Sequence, residues 1–279
     1  MSFLAHHLSA FITTCLMANT LIAQEASVPP INKDLFPPKV SIIALGPKPM
    51  RRYKMPNKQN DFHSGSRVAS LGGQAILLEA PKYSTPPAQL FCKQDGKTKW
   101  ARFDIGFNNQ GALRNVPPLK TLRFFASIPI DKSTKSALKL PPLELNTNTL
   151  FFLTPTGGQR SLWEKNPKLT TVPLTWSSKG DTRMLLINTS QQVVNIHISN
   201  GKKLSLKSGS QTRIDLKGLA QRNKITLIAK GVNDSKIALQ ESIKTLPRIT
   251  KVYAFYNAAP KTNGGRTLGT FRAVYEAPN

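Results

Sequence analysis

Residues 60–67, NDFHSGSR, bring Asp61, His63, Ser64 and Ser66 into one short stretch, the residue types of a hydrolytic triad. A triad works only when base and nucleophile converge in space, and neighbours along an extended segment point in different directions. No Gly-x-Ser-x-Gly elbow is present to expose a strained serine. No catalytic residue is therefore assigned. After residue 26 the histidines are His63 and His197, with no His-x-x-x-His, no His-Glu-x-x-His and no cysteine pair. A zinc or iron centre needs such a cluster, so no metal or other cofactor is predicted. The stretches PTGGQRS and TNGGRTLG lack the lysine pattern and following helix of a phosphate loop and read as turns. The acids are scattered singly, so spacing does not pick out a glycosidase pair, whose carboxylates stand roughly 5–10 Å apart. An enzyme acting on an anionic polysaccharide, with a carboxylate or tyrosine as acid or base, remains the alternative to a non-enzymatic protein.

The chemical excess of the chain is cationic: 39 Lys and Arg against 14 Asp and Glu, a net charge of +25. Such an excess favours polyanions through charge neutralisation and counterion release, an attraction that weakens as salt rises. Between Asp34 and Asp61 there is no acid, while Lys39, Lys48, Arg51, Arg52, Lys54 and Lys58 are all present. Near the C-terminus Arg266 and Arg272 are interleaved with Lys251, Tyr253, Phe255, Tyr256 and Tyr275. Aromatic and cationic residues sharing one exposed sheet face stack on sugars or bases. Lys48, Arg51, Arg52, Lys54, Lys58, Arg266 and Arg272 are accordingly the candidate binding residues. Strand parity turns the C-terminal aromatics toward a core and leaves Arg272 outward, beside Val252, Ala254 or Tyr256. Solubility is the plainer use of the same charge.

Residues 1–26 contain no Lys or Arg, carry an apolar run around Ala10–Ala23 and offer small residues at Ala23 and Ala26. That layout predicts a secretory signal peptide, with an uncleaved membrane anchor as the alternative. The apolar run is shorter than the roughly 20 residues of a membrane span, so no transmembrane segment is expected after cleavage. Ile12-Thr13-Thr14 ahead of Cys15 is a poor match to a lipid-attachment site. Cleavage would leave Cys92 as the remaining cysteine, where AQLFCKQ predicts a buried thiol behaving as a small hydrophobe. The expected location is the periplasm, the cell envelope or the extracellular space. The expected partners are an anionic polysaccharide, lipopolysaccharide or an acidic envelope surface, with a protein partner in an envelope assembly as the alternative. No specific nucleic-acid motif is present.

The elements that must position these residues read as strands. Residues 27–66 are rich in Pro and basic residues and predict a mostly extended arm with one strand at Val40–Leu45. Apolar or β-branched runs follow at Gln74–Ala80, Ala88–Lys93, Thr98–Asp104, Leu122–Ile128, Leu138–Leu145 and Thr149–Thr154. A second series runs from Val172–Trp176 through Met184–Asn188, Val193–Ile198, Lys203–Lys207, Thr212–Leu216, Ile225–Ala229, Ile237–Ile243 and Thr250–Tyr256 to Thr267–Tyr275. Short strands punctuated by turn residues predict an all-β fold of two sandwiches, 67–156 and 172–279, with residues 157–171 crossing between them. One large sandwich is the alternative for the whole, and a short helix is the alternative within DSKIALQESIKTL. No internal repeat strong enough to use is visible.

The hairpin around Asn200-Gly201 allows a register prediction. Val194, Ile196 and Ile198 share a face, as do Leu204 and Leu206. A two-residue loop would oppose apolar to polar residues. A three-residue loop over 199–201 instead sets Ile196 opposite Leu204 and Val194 opposite Leu206, with Gly201 left-handed. His197 then falls on a polar face with Asn195, Lys203 and Ser205, a supporting surface position.

The stretches LLINTSQQVVNIHISNGKKLSLKSGSQTRIDL and ITKVYAFYNAAPKTNGGRTLGTFRAVYEAP resemble an uncharacterised family of exported bacterial β-rich proteins, over about residues 184–276. That family has an (I/V)NxS strand, a following strand pair, an L-x-PG turn and a final hairpin; Lys207-Ser208-Gly209 stands where Pro-Gly is usual. The resemblance implies a β-fold and export and carries no activity.

Overall fold

A computed structural model describes residues 36–49, 83–93, 100–118, 120–130, 134–156, 163, 166–176, 182–199, 201–216, 224–258 and 267–277, and the backbone of 52–54 and 76–78. The signal peptide expected at 1–26 lies outside these residues. The described chain holds nineteen strands and no helix. Its fold class is all-β.

The apolar runs are of two kinds, and the sheets explain both. In SIIAL at 41–45, TLFFL at 149–153, MLLI at 184–187 and VYAFY at 252–256 every residue is buried. Continuous runs of this kind belong to strands covered on both faces. Elsewhere burial alternates, as in Val194–Ile198, where Asn195 and His197 are the less buried positions. Alternation belongs to strands with one wet face.

The doubly covered strands build two inner sheets. Sheet II has the order β11 (Lys168–Leu174), β10 (Asn148–Thr154), β1 (Lys39–Ala44), β6 (Gly106–Phe107), and β7 (Arg114–Asn115) also pairs with β1. Sheet III has the order β15 (Gln211–Asp215), β12 (Arg183–Asn188), β18 (Ile249–Asn257), β19 (Leu268–Glu276). Two antiparallel outer sheets flank them. Sheet I runs β5 (Trp100–Asp104), β4 (Gln89–Lys93), β8 (Leu122–Phe125), β9 (Leu138–Leu140). Sheet IV runs β14 (Lys203–Leu206), β13 (Val194–Ile198), β16 (Lys224–Gly231), β17 (Leu239–Lys244). The remaining strands, β2 (Arg52–Lys54) and β3 (Ile76–Leu78), pair with each other.

Three hydrophobic cores stack these sheets in the order I, II, III, IV. Leu90, Phe103 and Phe124 of sheet I meet Val40, Ile42 and Phe151 of sheet II. Met184, Leu186 and Phe255 of sheet III meet Val194, Ile196 and Leu227 of sheet IV. Between the inner sheets, Ile43, Leu150 and Phe152 pack on Leu185, Val252 and Phe271. Phe152 and Phe271 sit edge to face with centroids 5.5 Å apart. A fully buried side chain of this size stabilises by about 1.5–3 kcal/mol, so the middle core joins the two halves. Residues Phe36–Asn279 accordingly form one compact unit.

The two halves follow one plan. In each, the first strand pairs in parallel with a late strand, β1 with β10 and β12 with β18, and that strand turns back antiparallel into the last, β11 or β19. The outer sheets match as well: β5-β4-β8-β9 in the first half corresponds to β14-β13-β16-β17 in the second. The internal repeat is therefore one of topology, which residue identities do not reveal. The first half takes its inner strand from 39–44 and its edge from 168–174, on either side of the 67–156 span.

The hairpin has the register predicted from parity. Ile196 pairs with Leu204, Val194 with Leu206 and His197 with Lys203. Gly201 has φ +86°, its N–H donates to Ile198 O at 3.0 Å, and Ile198 N–H donates to Lys202 O at 2.9 Å. These bonds close a three-residue loop with a left-handed glycine. His197 is exposed. The stretch DSKIALQESIKTL forms the loop and strand of β17, not a helix.

Candidate functional site

The outer face of sheet I combines rings and positive charge. Its strands alternate, so Leu90, Cys92, Phe103, Leu122, Phe124, Leu138 and Leu140 enter the core, while Phe91, Lys93, Trp100, Arg102, Arg123, Phe125 and Lys139 take the other face. Cys92 is a buried thiol, as its apolar neighbours predict. Phe91 stands directly opposite Arg102 on one side and Phe125 on the other, and Trp100 stands opposite Lys93. Trp100 and Phe125 meet across β4 at 5.6 Å and an interplanar angle of 89°. The three rings are half-buried and the four cations exposed.

Charge on this face is arranged against the preference of a bare sheet. Arg123 lies directly opposite Lys139, and like charges at that position destabilise a strand pair. The register of β4 on β8, continued by one residue, adds Lys93 beside Arg123. The acid on the face is Asp104, which accepts from Arg102 Nε at 2.9 Å and lies 3.5 Å from Arg114 Nη2. The remaining cations form a row across three strands. A flexible anionic chain laid along that row would relieve the repulsion, and its rings would meet Trp100, Phe91 and Phe125.

The second half supplies an internal control. The corresponding face of sheet IV presents Asn195, His197, Lys203, Ser205, Thr226, Ile228, Lys230, Gln240, Ser242 and Lys244, with no aromatic ring among them. The same topology therefore stands without exposed rings. Those of sheet I are a property of that face and are not a requirement of the architecture.

The residues singled out from sequence are distributed differently. Lys48 is exposed beyond β1. Arg52 and Lys54 lie on β2. Arg51, Lys58 and Arg266 fall outside the described residues. Arg272 is exposed on β19, but its neighbours are not the expected Val252, Ala254 or Tyr256: it pairs with Tyr253. The register of β18 on β19 sets even-numbered residues opposite odd ones, so Arg272 shares the sheet IV side of sheet III. Tyr253 and Phe255 are buried in one core and Phe271 and Tyr275 in the other, as parity predicts, whereas Tyr256, expected on the outward side with Arg272, is buried in the second of these cores. The aromatic and cationic face of sheet I was missed because its signal, rings and cations on alternate positions of β4, β5 and β8, acquires meaning only once the three strands are adjacent.

Arg272 completes the one meeting of tyrosine, carboxylate and arginine among the described hydrogen bonds. The Tyr253 hydroxyl donates to Glu241 Oε1 at 3.1 Å, and Arg272 Nη1 donates to Glu241 Oε2 at 3.3 Å. Burial first, and the adjacent Glu241 charge second, push the Tyr253 hydroxyl well above its ordinary pKa. It keeps its proton and ties sheet III to sheet IV. No group of three or more His, Cys, Asp or Glu gathers to hold a metal among the described residues, and no helix there is long and apolar enough to cross a membrane.

Buried polar residues elsewhere secure loops. Asn188 Nδ2 donates to the carbonyls of Gln192 and Leu206, both at 2.8 Å, and its Oδ1 accepts from Ser190 N and Oγ at 3.0 and 2.6 Å. All four bonding positions of the amide are filled, which gives the Asn-x-Ser signal a structural role. Asp234 accepts from Thr267 N at 2.9 Å, Leu268 N at 3.1 Å and the Thr267 hydroxyl. Burial alone would raise its pKa, and these hydrogen bonds bring it below the usual carboxylate value. No protein-family model matches this chain, and no curated protein does.

Proposed function

We propose that this protein is an exported, non-enzymatic binding module that holds an anionic polysaccharide on the outer face of sheet I. The observation that carries the reading is the row Lys93, Arg123, Lys139 laid beside Trp100, Phe91 and Phe125 on one wet sheet face. Rings supply a sequence-tolerant stacking surface worth about 1–3 kcal/mol per stacked unit, and the cations supply the salt-dependent share. The net charge of +25 strengthens long-range attraction to any such polymer. The apolar N-terminal stretch supports export and so favours an envelope or extracellular polysaccharide over nucleic acid.

Titration across a salt series with polygalacturonate, single-stranded DNA, polyphosphate and neutral dextran tests this reading. Polygalacturonate is expected to bind best, with log K falling against log salt by about 0.7 for each cation engaged. Polyphosphate, which has charge without rings, should bind more weakly, and dextran weakest. Tighter binding of single-stranded DNA would move the function to nucleic acid. Equal binding of polyphosphate and polygalacturonate would show that the rings play no part.

A further inference from the structure

At one end of the first sandwich, between sheets I and II, lies a cavity of about 410 Å³. Its wall is apolar: Leu90, Leu138, Leu153, Pro86, Pro87 and the indole of Trp163. Among the described residues that line it, none carries a charge. Cavities of about 300–1,000 Å³ with apolar walls and a few convergent polar groups are the usual form of a small-molecule site.

Three independent features mark this cavity as more than a packing defect. Trp163 is 8% exposed, yet its indole Nε1 is buried with no hydrogen-bond partner. The Ser84 hydroxyl, adjoining the lining residues Tyr83 and Thr85, is buried and unpartnered too. Buried donors are almost always satisfied, so the unmet indole donor of a lining residue calls for an acceptor the chain itself does not supply. Tyr83, on the lining, holds the left-handed φ of 62° while its carbonyl accepts the Trp163 backbone N–H at 3.0 Å. Non-glycine residues in that conformation cluster at ligand clamps. Finally, the chain leading away from the lining residue Ala126 exposes Ile128 at 49% and Ile130 at 100%. Exposed apolar side chains thus lie within four residues of the lining along the chain.

We infer that this cavity binds a single fatty acyl chain of medium length, its aliphatic part against the leucines and prolines and its carbonyl or carboxylate oxygen accepting from Trp163 Nε1. An unbranched chain fits the apolar side chains of this wall, and one oxygen acceptor answers the indole N–H. The inference is independent of the polysaccharide reading, because the cavity opens between the sheets and the cationic face lies on the far side of sheet I.

Calorimetric titration of the full chain with dodecanoate, and separately with lauroyl lysophosphatidylcholine below its micelle concentration, tests the proposal. Saturable binding of either at one per chain is expected; dodecanoate alone would identify the free acid, the lysolipid alone an esterified chain. Trp163→Phe, which keeps the ring and removes the donor, should weaken binding about tenfold. Ala126→Trp, at an exposed rim position, should block entry and abolish binding with the melting temperature unchanged, and it carries the test alone if Trp163→Phe does not fold. Failure of both ligands to bind, or unchanged binding by a folded Ala126→Trp protein, would overturn the inference.

Discussion

Asn188 shows how much one amide can hold in this fold. It satisfies two backbone carbonyls and two groups of Ser190 at a buried position, and each buried group left without a partner costs about 1–3 kcal/mol. Asn188→Ala is expected to lower the unfolding free energy by at least about 2 kcal/mol in urea, whereas His197→Ala on the exposed face should stay within about 0.5 kcal/mol. Asp234 adds a pH dependence of defined sign. Its pKa is depressed in the folded state, so its contribution is fully present above the unfolded value of about 3.9 and is lost as pH falls through the lower folded value. The stability advantage of the wild type over Asp234→Asn should therefore hold from pH 7 to about pH 5 and shrink below about pH 4. An advantage unchanged at pH 3 would mean that the carboxylate charge is not what Thr267 and Leu268 recognise.

At the level of elements, the conformation of a single residue can be isolated. Gly201 has φ +86°, and a Cβ there would meet nothing within 4 Å. Gly201→Ala should destabilise by about 1 kcal/mol through backbone conformation alone, as read from the shift in urea midpoint at constant slope. Gly269 differs in kind: a Cβ there would come within 2.5 Å of the Tyr256 ring, so its absence makes room for an aromatic neighbour. The hairpin register was legible because a half-buried strand pair carries its own parity, and Val194–Ile198 with Lys203–Leu206 obeys it. The doubly buried runs at 41–45, 149–153, 184–187 and 252–256 carried a signal for inner sheets, continuous rather than alternating. Partner identity lay beyond them, because the parallel pairing of β1 with β10 joins residues more than 100 positions apart. Two-residue strands such as β6 and β7 are too short to show a period. The cationic face failed for the same reason as the pairings: parity reveals which residues share a side of one strand and not which strands share a sheet.

For the whole molecule, four stacked sheets make stability a shared property of the halves. Phe152 from the first half and Phe271 from the second touch across the middle core. Alanine at either should cost about 3–5 kcal/mol, with a coupling in the double-mutant cycle of about 0.5–1.5 kcal/mol, and calorimetry should show one cooperative transition. Because the sheets are held so firmly, the outer faces are free to differ, and the repeat carries rings on sheet I and none on sheet IV. The most direct measurement is the affinity of the wild type, of Trp100→Ala combined with Phe125→Ala, and of His197→Ala for polygalacturonate at one moderate salt concentration. A loss of about 2 kcal/mol or more in the double variant with none in His197→Ala is the predicted result. Equal affinity of all three folded proteins would contradict the assignment of sheet I as the binding face.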